Sequence, residues 1–171
     1  MSFESDHRES HRTQHYDAPA VNASSNLCGM KRSTEDHKLT TLARSPLFAG
    51  FSKKELELLG RITDELDLPA GRVLMAEGEN GREFYVIIEG EADVTKGGEH
   101  IRTCGPGEFV GEISLVAQTP RTATVTAKTA MRVFVMAGHA FRGLLSTNRD
   151  VESKVLRSMA AHLLATSPSA S

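Results

Sequence analysis

Hydrophobic and polar positions divide the chain into zones of different period. Between residues 39 and 62 the apolar residues recur at helical spacing. Leu39, Leu42 and Ala43 fit a short amphipathic helix after the polar "STED". Ser45 and Pro46 put a capping residue ahead of a proline at a first helical position. "FSKKEL" is a stronger start. Ser52 and Glu55 form a capping box and Phe51 can staple to Leu56. The spacing predicts a helix to about Ile62, with Leu56, Leu59 and Ile62 buried. From residue 65 to 136 the pattern becomes that of strands. The runs "RVLMAE", "EFYVIIEG", "EADVTK", "EHIRTC", "TATVTAK" and "MRVFVM" are short, and "ENG", "EG", "KGG" and "GPG" separate them. Lys96, Gly97 and Gly98 read as a hairpin turn, and Gly90 and Gly105 as backbone bends. Helical spacing then returns over residues 139–145 and 150–164. In the longer stretch Val151, Val155, Met159 and Leu163 are four apart, Leu156 and Ala160 lie beside them, and Asn148 or Asp150 can cap the start.

Many short strands between helices predict a mainly β domain with flanking helices. The expected architecture is a jelly-roll (double-stranded β-helix) barrel with N-terminal helices and C-terminal helices. Residues 1–37 are polar, rich in Ser, His, Asn and charge, and are expected to be a disordered tail. The domain is expected over 38–165, with a disordered polar end at 166–171. A chain of 171 residues suffices for one well-buried domain and a tail. The net charge of −2 removes any bulk electrostatic case for a nucleic-acid or anionic-membrane partner. Cys28 lies in the tail and Cys104 in a strand, so free thiols in a reducing compartment are expected. No apolar run approaches the roughly 18 residues of a membrane span, and the N-terminus lacks a secretion signal. A cytoplasmic protein with no membrane partner is expected. His7, His11 and His15 would share one face of a helix and could bind a metal there, but a solvated tail is the simpler account.

"GEISLVAQTPRTATV", residues 111–125, carries the candidate chemistry. After Gly111, "EISLVA" can make about one and a half helical turns. Its first amides, near Ile113 and Ser114, lack intrahelical acceptors and carry the positive end of the helix dipole, which suits a phosphate. Pro120 ends the excursion, and Arg121 returns at the next strand, where a guanidinium can pair with two phosphate oxygens. Glu112 cannot favour a phosphate, but a sugar hydroxyl suits it. The pattern points to one phosphate beside a hydroxylated ring. A surface Glu–Arg ion pair is the plainer alternative.

"FVGEISLVAQTPRTATV" resembles the phosphate-binding cassette of the cyclic nucleotide-binding domain family, found in catabolite activator protein, the regulatory subunit of protein kinase A and cyclic nucleotide-gated channels. The resemblance runs over roughly residues 39–165 and includes "PLFAGFSKKELELL" and "GRVLMAEGENGREFYVIIEGEADV". It implies that Glu112 accepts from the ribose 2′-hydroxyl and that Gly111 allows close approach. It implies that Ser114 gives its amide to the phosphate, that Arg121 binds the exocyclic oxygens, and that amides of Thr122 or Ala123 assist. Val94 and Ile101 match positions that wall the base, and they suit a barrel core equally. Thr122 matches a position that can bond guanine in cGMP-selective members, or it simply suits a strand. The final helix is implied to fold over the base as a lid. It has no Trp, Tyr or Phe, so Leu156, Met159 or Leu163 would cap the ring.

The resemblance implies a non-catalytic sensor of a cyclic nucleotide, cAMP favoured and cGMP open, with no cofactor, and it is expected to stand alone because few residues follow Asp150. A ligand-induced movement of the last helix would pass the signal to an unidentified downstream protein, and a homodimer is allowed. Two alternatives stand beside it. A cupin-like metal-dependent enzyme would share the barrel but needs clustered ligands, and only His100 and His139 lie near the strands. A regulator of the catabolite activator type would need a helix-turn-helix, for which the residues after Asp150 leave no room.

Overall fold

The computed structural model describes residues 35–166. The readings made of residues 1–34 and 167–171, including the three spaced histidines and Cys28, lie outside the described residues. The chain opens with α1 (Glu35–Arg44), a 3-10 turn at Pro46–Phe48, and α2 (Lys53–Arg61). Eight strands follow: β1 (Thr63–Leu68), β2 (Val73–Met75), β3 (Glu83–Glu89), β4 (Ala92–Lys96), β5 (Glu99–Cys104), β6 (Phe109–Val110), β7 (Thr124–Ala127) and β8 (Met131–Ala137). A short helix, α3 (Glu112–Ala117), separates β6 from β7, and α4 (Gly138–Thr147) and α5 (Arg149–Thr166) close the chain.

The strands form two antiparallel four-stranded sheets, ordered β1-β8-β3-β6 and β2-β7-β4-β5. This is the expected jelly roll with helices at both ends. Burial alternates along β4 and β7, as expected where one face packs inward and the other is open. Strand β3 is instead buried almost continuously, because both its faces are covered. Tyr85 and Ile87 point into the barrel with Val94, Val125 and Val133. Phe84 and Val86 point outward, into a second core shared with Leu59, Phe134, Met136, Phe141, Val151 and Val155. The helices thus pack on the outer face of one sheet and leave the other sheet free to wall a cavity.

Local signals held at the start of α2. Ser52 Oγ accepts from the Glu55 amide at 3.3 Å and Glu55 Oε2 accepts from the Ser52 amide at 2.6 Å, a complete capping box. Glu55 also pairs with Lys154 of α5 at 2.7 Å, which holds its carboxyl below the usual carboxylate range and ties the last helix to α2. Boundaries shift in several places. Glu35 and Asp36, expected in the tail, form the first turn of α1, where acids complement the helix dipole. Thr166, expected in the polar end, closes α5. Strand β1, "TDELDL", carries only Leu66 and Leu68 to announce it; it is a strand because it pairs with β8 from Thr63↔Met136 to Leu68↔Met131. No helix among the described residues is long and apolar enough to cross a membrane.

Candidate functional site

The site begins with one backbone reversal. Gly111 has φ +94°, a conformation that disfavours any residue with a Cβ, and it turns β6 into α3. Gln118, at φ 53°, ends α3. The returning chain is zipped to the turn before β3: the Arg121 amide donates to the Glu79 carbonyl at 2.7 Å, and the Gly78 amide donates to the Arg121 carbonyl at 2.8 Å. Leu115 anchors α3 from below, fully buried in the core shared with the helices.

Arg121 is 7% exposed. Its Nη1 donates to the Gly111 carbonyl at 2.9 Å, and its Nη2 donates to the carbonyl of Glu83. The guanidinium lies against Gly81, where a Cβ would come within 2.8 Å of Cζ. Burial holds the guanidinium below its ordinary value, while Tyr85, Glu83, Glu112 and Glu79 oppose that effect. It stays a cation. Beside it the Tyr85 hydroxyl donates to Glu83 Oε2 at 3.0 Å, and burial pushes that phenol well up.

Glu112 is 6% exposed. Desolvation holds its carboxyl above the usual range, against its own amide, Arg102 and Arg121. No ion pair among the described residues joins Glu112 to Arg121. The surface ion-pair alternative therefore fails: both residues are buried, and the hydrogen bonds of the cation run to backbone carbonyls. Ser114 is buried and its hydroxyl reaches the Pro120 carbonyl at 3.5 Å.

These groups form one end of a cavity of about 180 Å³. An ordered water needs only roughly 10–15 Å³ of such space, so the cavity is on the scale of a small molecule. Gly111, Glu112, Ile113, Ser114, Arg121, Thr122 and Ala123 all line it. The other end is apolar at its wall, formed by Val94 and Val125, and Ile101 stands at the rim, 56% exposed. Helix α5 closes that end with His162 and Leu163.

The three apolar residues expected to cap from α5 part company. Leu163 lines the cavity. Met159 instead packs into the core between helices and sheet, and Leu156 is 46% exposed and does not line this cavity. The correction is geometric: the face of α5 carrying Val151, Val155 and Met159 seats in the helical core, against the 3-10 turn at Pro46–Phe48 and α4, and of the three expected caps only Leu163 lines the cavity. Arg102 and His162 also line the cavity and were missed. His162 carried a signal, since it stands seven residues after Val155 on the buried stripe. Among the described residues, no group of three or more His, Cys, Asp or Glu can hold a metal ion; His100 instead bonds Asp93 at 3.3 Å.

A buried arginine, the start of α3, a buried carboxylate and apolar side chains thus line one cavity of a jelly-roll domain. The profile of the family described as cyclic nucleotide-binding domain matches residues 65–148. The chain is 31% identical over 127 residues to the CRP-like cAMP-activated global transcriptional regulator of Mycobacterium tuberculosis, covering 71% of this chain and 57% of that protein. It is 35% identical over 111 residues to a cAMP-dependent protein kinase regulatory subunit of Yarrowia lipolytica, covering 64% of this chain and 30% of that one. A solved N-terminal domain of a transcriptional regulator from Streptomyces coelicolor A3(2) is 30% identical, with a TM-score of 0.63 over 77% of this chain and 97% of that one. The chain belongs to the cyclic nucleotide-binding domain family. It spans little more than half of the first relative and under a third of the second. By name these relatives are regulators, not enzymes.

Proposed function

We propose that this chain is the sensor of a regulatory system and binds a 3′,5′-cyclic nucleotide, cAMP in preference to cGMP, in the cavity below α5. The phosphate sits on the first amides of α3 and on Arg121, assisted by the amides of Thr122 or Ala123. The ribose hydroxyl donates to Glu112, and Gly111 lets the sugar approach. The base lies between Val94 and Ile101 on one side and the last turn of α5 on the other. The observation that carries this reading is the pairing of a buried, carbonyl-anchored Arg121 with a buried Glu112 that it does not neutralise. Two such charges are costly to bury without a partner that uses both. The preference for cAMP is supported by the names of the relatives above.

Signalling follows from differential contact. Leu163 and its neighbours touch the base only when the last turn of α5 is seated, so ligand favours the seated form. Whether the output is a further domain or a separate protein, the chain itself is the part that senses. The relatives that act on transcription leave the expectation of no nucleic-acid partner unsupported, and the expectation of a homodimer likewise.

Calorimetry with cAMP, cGMP and 5′-AMP tests the reading. A cyclic phosphate carries one charge and is held rigidly to the ring, which suits one helix start and one arginine. The expected order is cAMP tightest, cGMP weaker and 5′-AMP far weaker. Equal affinity for cAMP and 5′-AMP would refute it.

A further inference from the structure

Helix α5 is held in two different ways. Its first three turns are anchored in the core by Val151 and Val155, both fully buried, and by Met159 at 8% exposure. Lys154 adds its bond to Glu55. Beyond Met159 the support changes. Leu164 is 81% exposed, and Leu163 is 44% exposed at the edge of the cavity. His162 makes two contacts between this turn and the barrel. Its ring lies on Phe109 with centroids 4.5 Å apart, and its Nε2 stands 3.4 Å from Arg102 Nη2.

Arg102 is itself fixed. Its Nη1 donates to Glu108 Oε1 at 2.7 Å, and Glu108 Oε2 accepts from the Gly105 amide at 2.7 Å. A guanidinium offers only donors. In its bond to Arg102, then, the Nε2 of His162 must accept, and it can accept only when the ring is neutral with its proton on Nδ1.

Resting on the cyclic-nucleotide reading of the cavity, we propose that His162 is the positioning residue that seats the last turn of α5 over the base, and that protonation of its ring releases that turn. An imidazolium has no lone pair for Arg102 and sets a second cation 3.4 Å from it. Arg102 from β5 and Glu108 from the turn before β6 are charged groups that act on the ring, and β6 itself brings Phe109. Glu108 is already engaged by Arg102 and by the Gly105 amide, so it does little to offset the new charge. Burial and Arg102 both hold the ring below the ordinary histidine value of 6.5, and Glu108 opposes them. The seated turn therefore binds the proton less well than the released one. Seating is favoured at neutral pH and is lost progressively as pH falls through about 6.5.

Three measurements on the full chain test this. The first is amide exchange over residues 160–165 without ligand, at about pH 7.5 and about pH 5.5, on either side of the histidine range. His162→Gln keeps an acceptor for Arg102 but does not titrate. Relative to this variant at each pH, the wild type should lose protection severalfold on acidification. The second is cAMP affinity at the same two pH values. It should fall by about threefold or more in the wild type beyond any fall in the variant, since one proton linked to binding allows up to about tenfold per pH unit. Glu112 titrates alike in both proteins and cancels. The third is the ring-nitrogen NMR shift of His162, which needs no variant and should report the Nδ1–H tautomer at neutral pH. Identical pH profiles in wild type and His162→Gln, or an Nε2–H ring, would overturn the proposal. A chain whose exchange titrates as expected but which binds no cyclic nucleotide would sink the functional reading and leave the His162 latch standing.

Discussion

Gly81 does not line the cavity, yet the absence of its side chain decides where Arg121 sits. In Gly81→Ala the new Cβ would fall 2.8 Å from Arg121 Cζ, 2.9 Å from Nε and 2.9 Å from Ser114 Cβ. Carbon atoms rest at roughly 3.5–4.0 Å, so something must move by more than about half an ångström. The backbone at Gly81 is not in the left-handed region, so alanine itself is tolerated there. The change should even restrict the unfolded chain, an effect of about 0.4–1 kcal/mol in favour of folding. Ser114 cannot easily yield, because α3 is pinned by the fully buried Leu115 beside it. The guanidinium yields instead and leaves the carbonyls of Gly111 and Glu83. Displacing it costs at least one charge-assisted hydrogen bond to the phosphate, about 1.5–3 kcal/mol. That corresponds to about a ten- to hundredfold loss of cAMP affinity. Calorimetry on wild type and variant reads the loss, and a thermal melt confirms that the variant is folded. A folded Gly81→Ala protein that binds cAMP within about twofold of wild type, roughly 0.4 kcal/mol, would refute the claim that this glycine places the arginine.

Three further substitutions, at Arg121 and Glu112, probe the polar lining of the cavity. Arg121→Ala should remove about 2–5 kcal/mol of binding, because a desolvated phosphate loses its counter-charge. It should also lower stability to urea by about 1–3 kcal/mol, because the Gly111 and Glu83 carbonyls lose their donors. Arg121→Lys should bind poorly too, since an ammonium cannot make the paired contact; wild-type binding by either variant would mean that the phosphate lies elsewhere. Glu112→Gln should weaken binding by about 1–3 kcal/mol, the worth of one charged hydrogen bond, yet stabilise the ligand-free fold. Burial raises the Glu112 carboxyl above its ordinary value, so its favourable contribution is present in acid and is lost as pH rises through the raised value. The variant should melt above wild type at neutral pH and the gap should close in acid; a gap independent of pH would contradict the assignment of the strain to ionised Glu112.

Residue order alone was enough for features that depend on neighbours along the chain. The capping box at Ser52 and Glu55 and the helix-strand-helix order are of this kind. So is the short helix between Gly111 and Pro120, because each rests on local backbone preference. The grouping of Gly111, Glu112, Ser114 and Arg121 was legible for the same reason, since a chain excursion of this length must bring its two ends together. Strand β1 was not legible, because its polar run gains strand character only from pairing with β8 across the sheet. The anchors of Arg121 were not legible either. They are backbone carbonyls of Gly111 and Glu83, and a carbonyl carries no residue-type signal. At the base end the resemblance and the apolar residues of α5 pointed to Leu156, beside the four-residue stripe, and to Met159 and Leu163 on it alike. Periodicity says which residues share a face, but not which turn of that face meets the core and which meets the cavity. That depends on the angle at which α5 lies against the 3-10 turn and α4. The packing of Val151, Val155 and Met159 sets that angle, and it leaves His162 and Leu163 over the cavity, with His162 beside Arg102, 60 residues earlier in the chain.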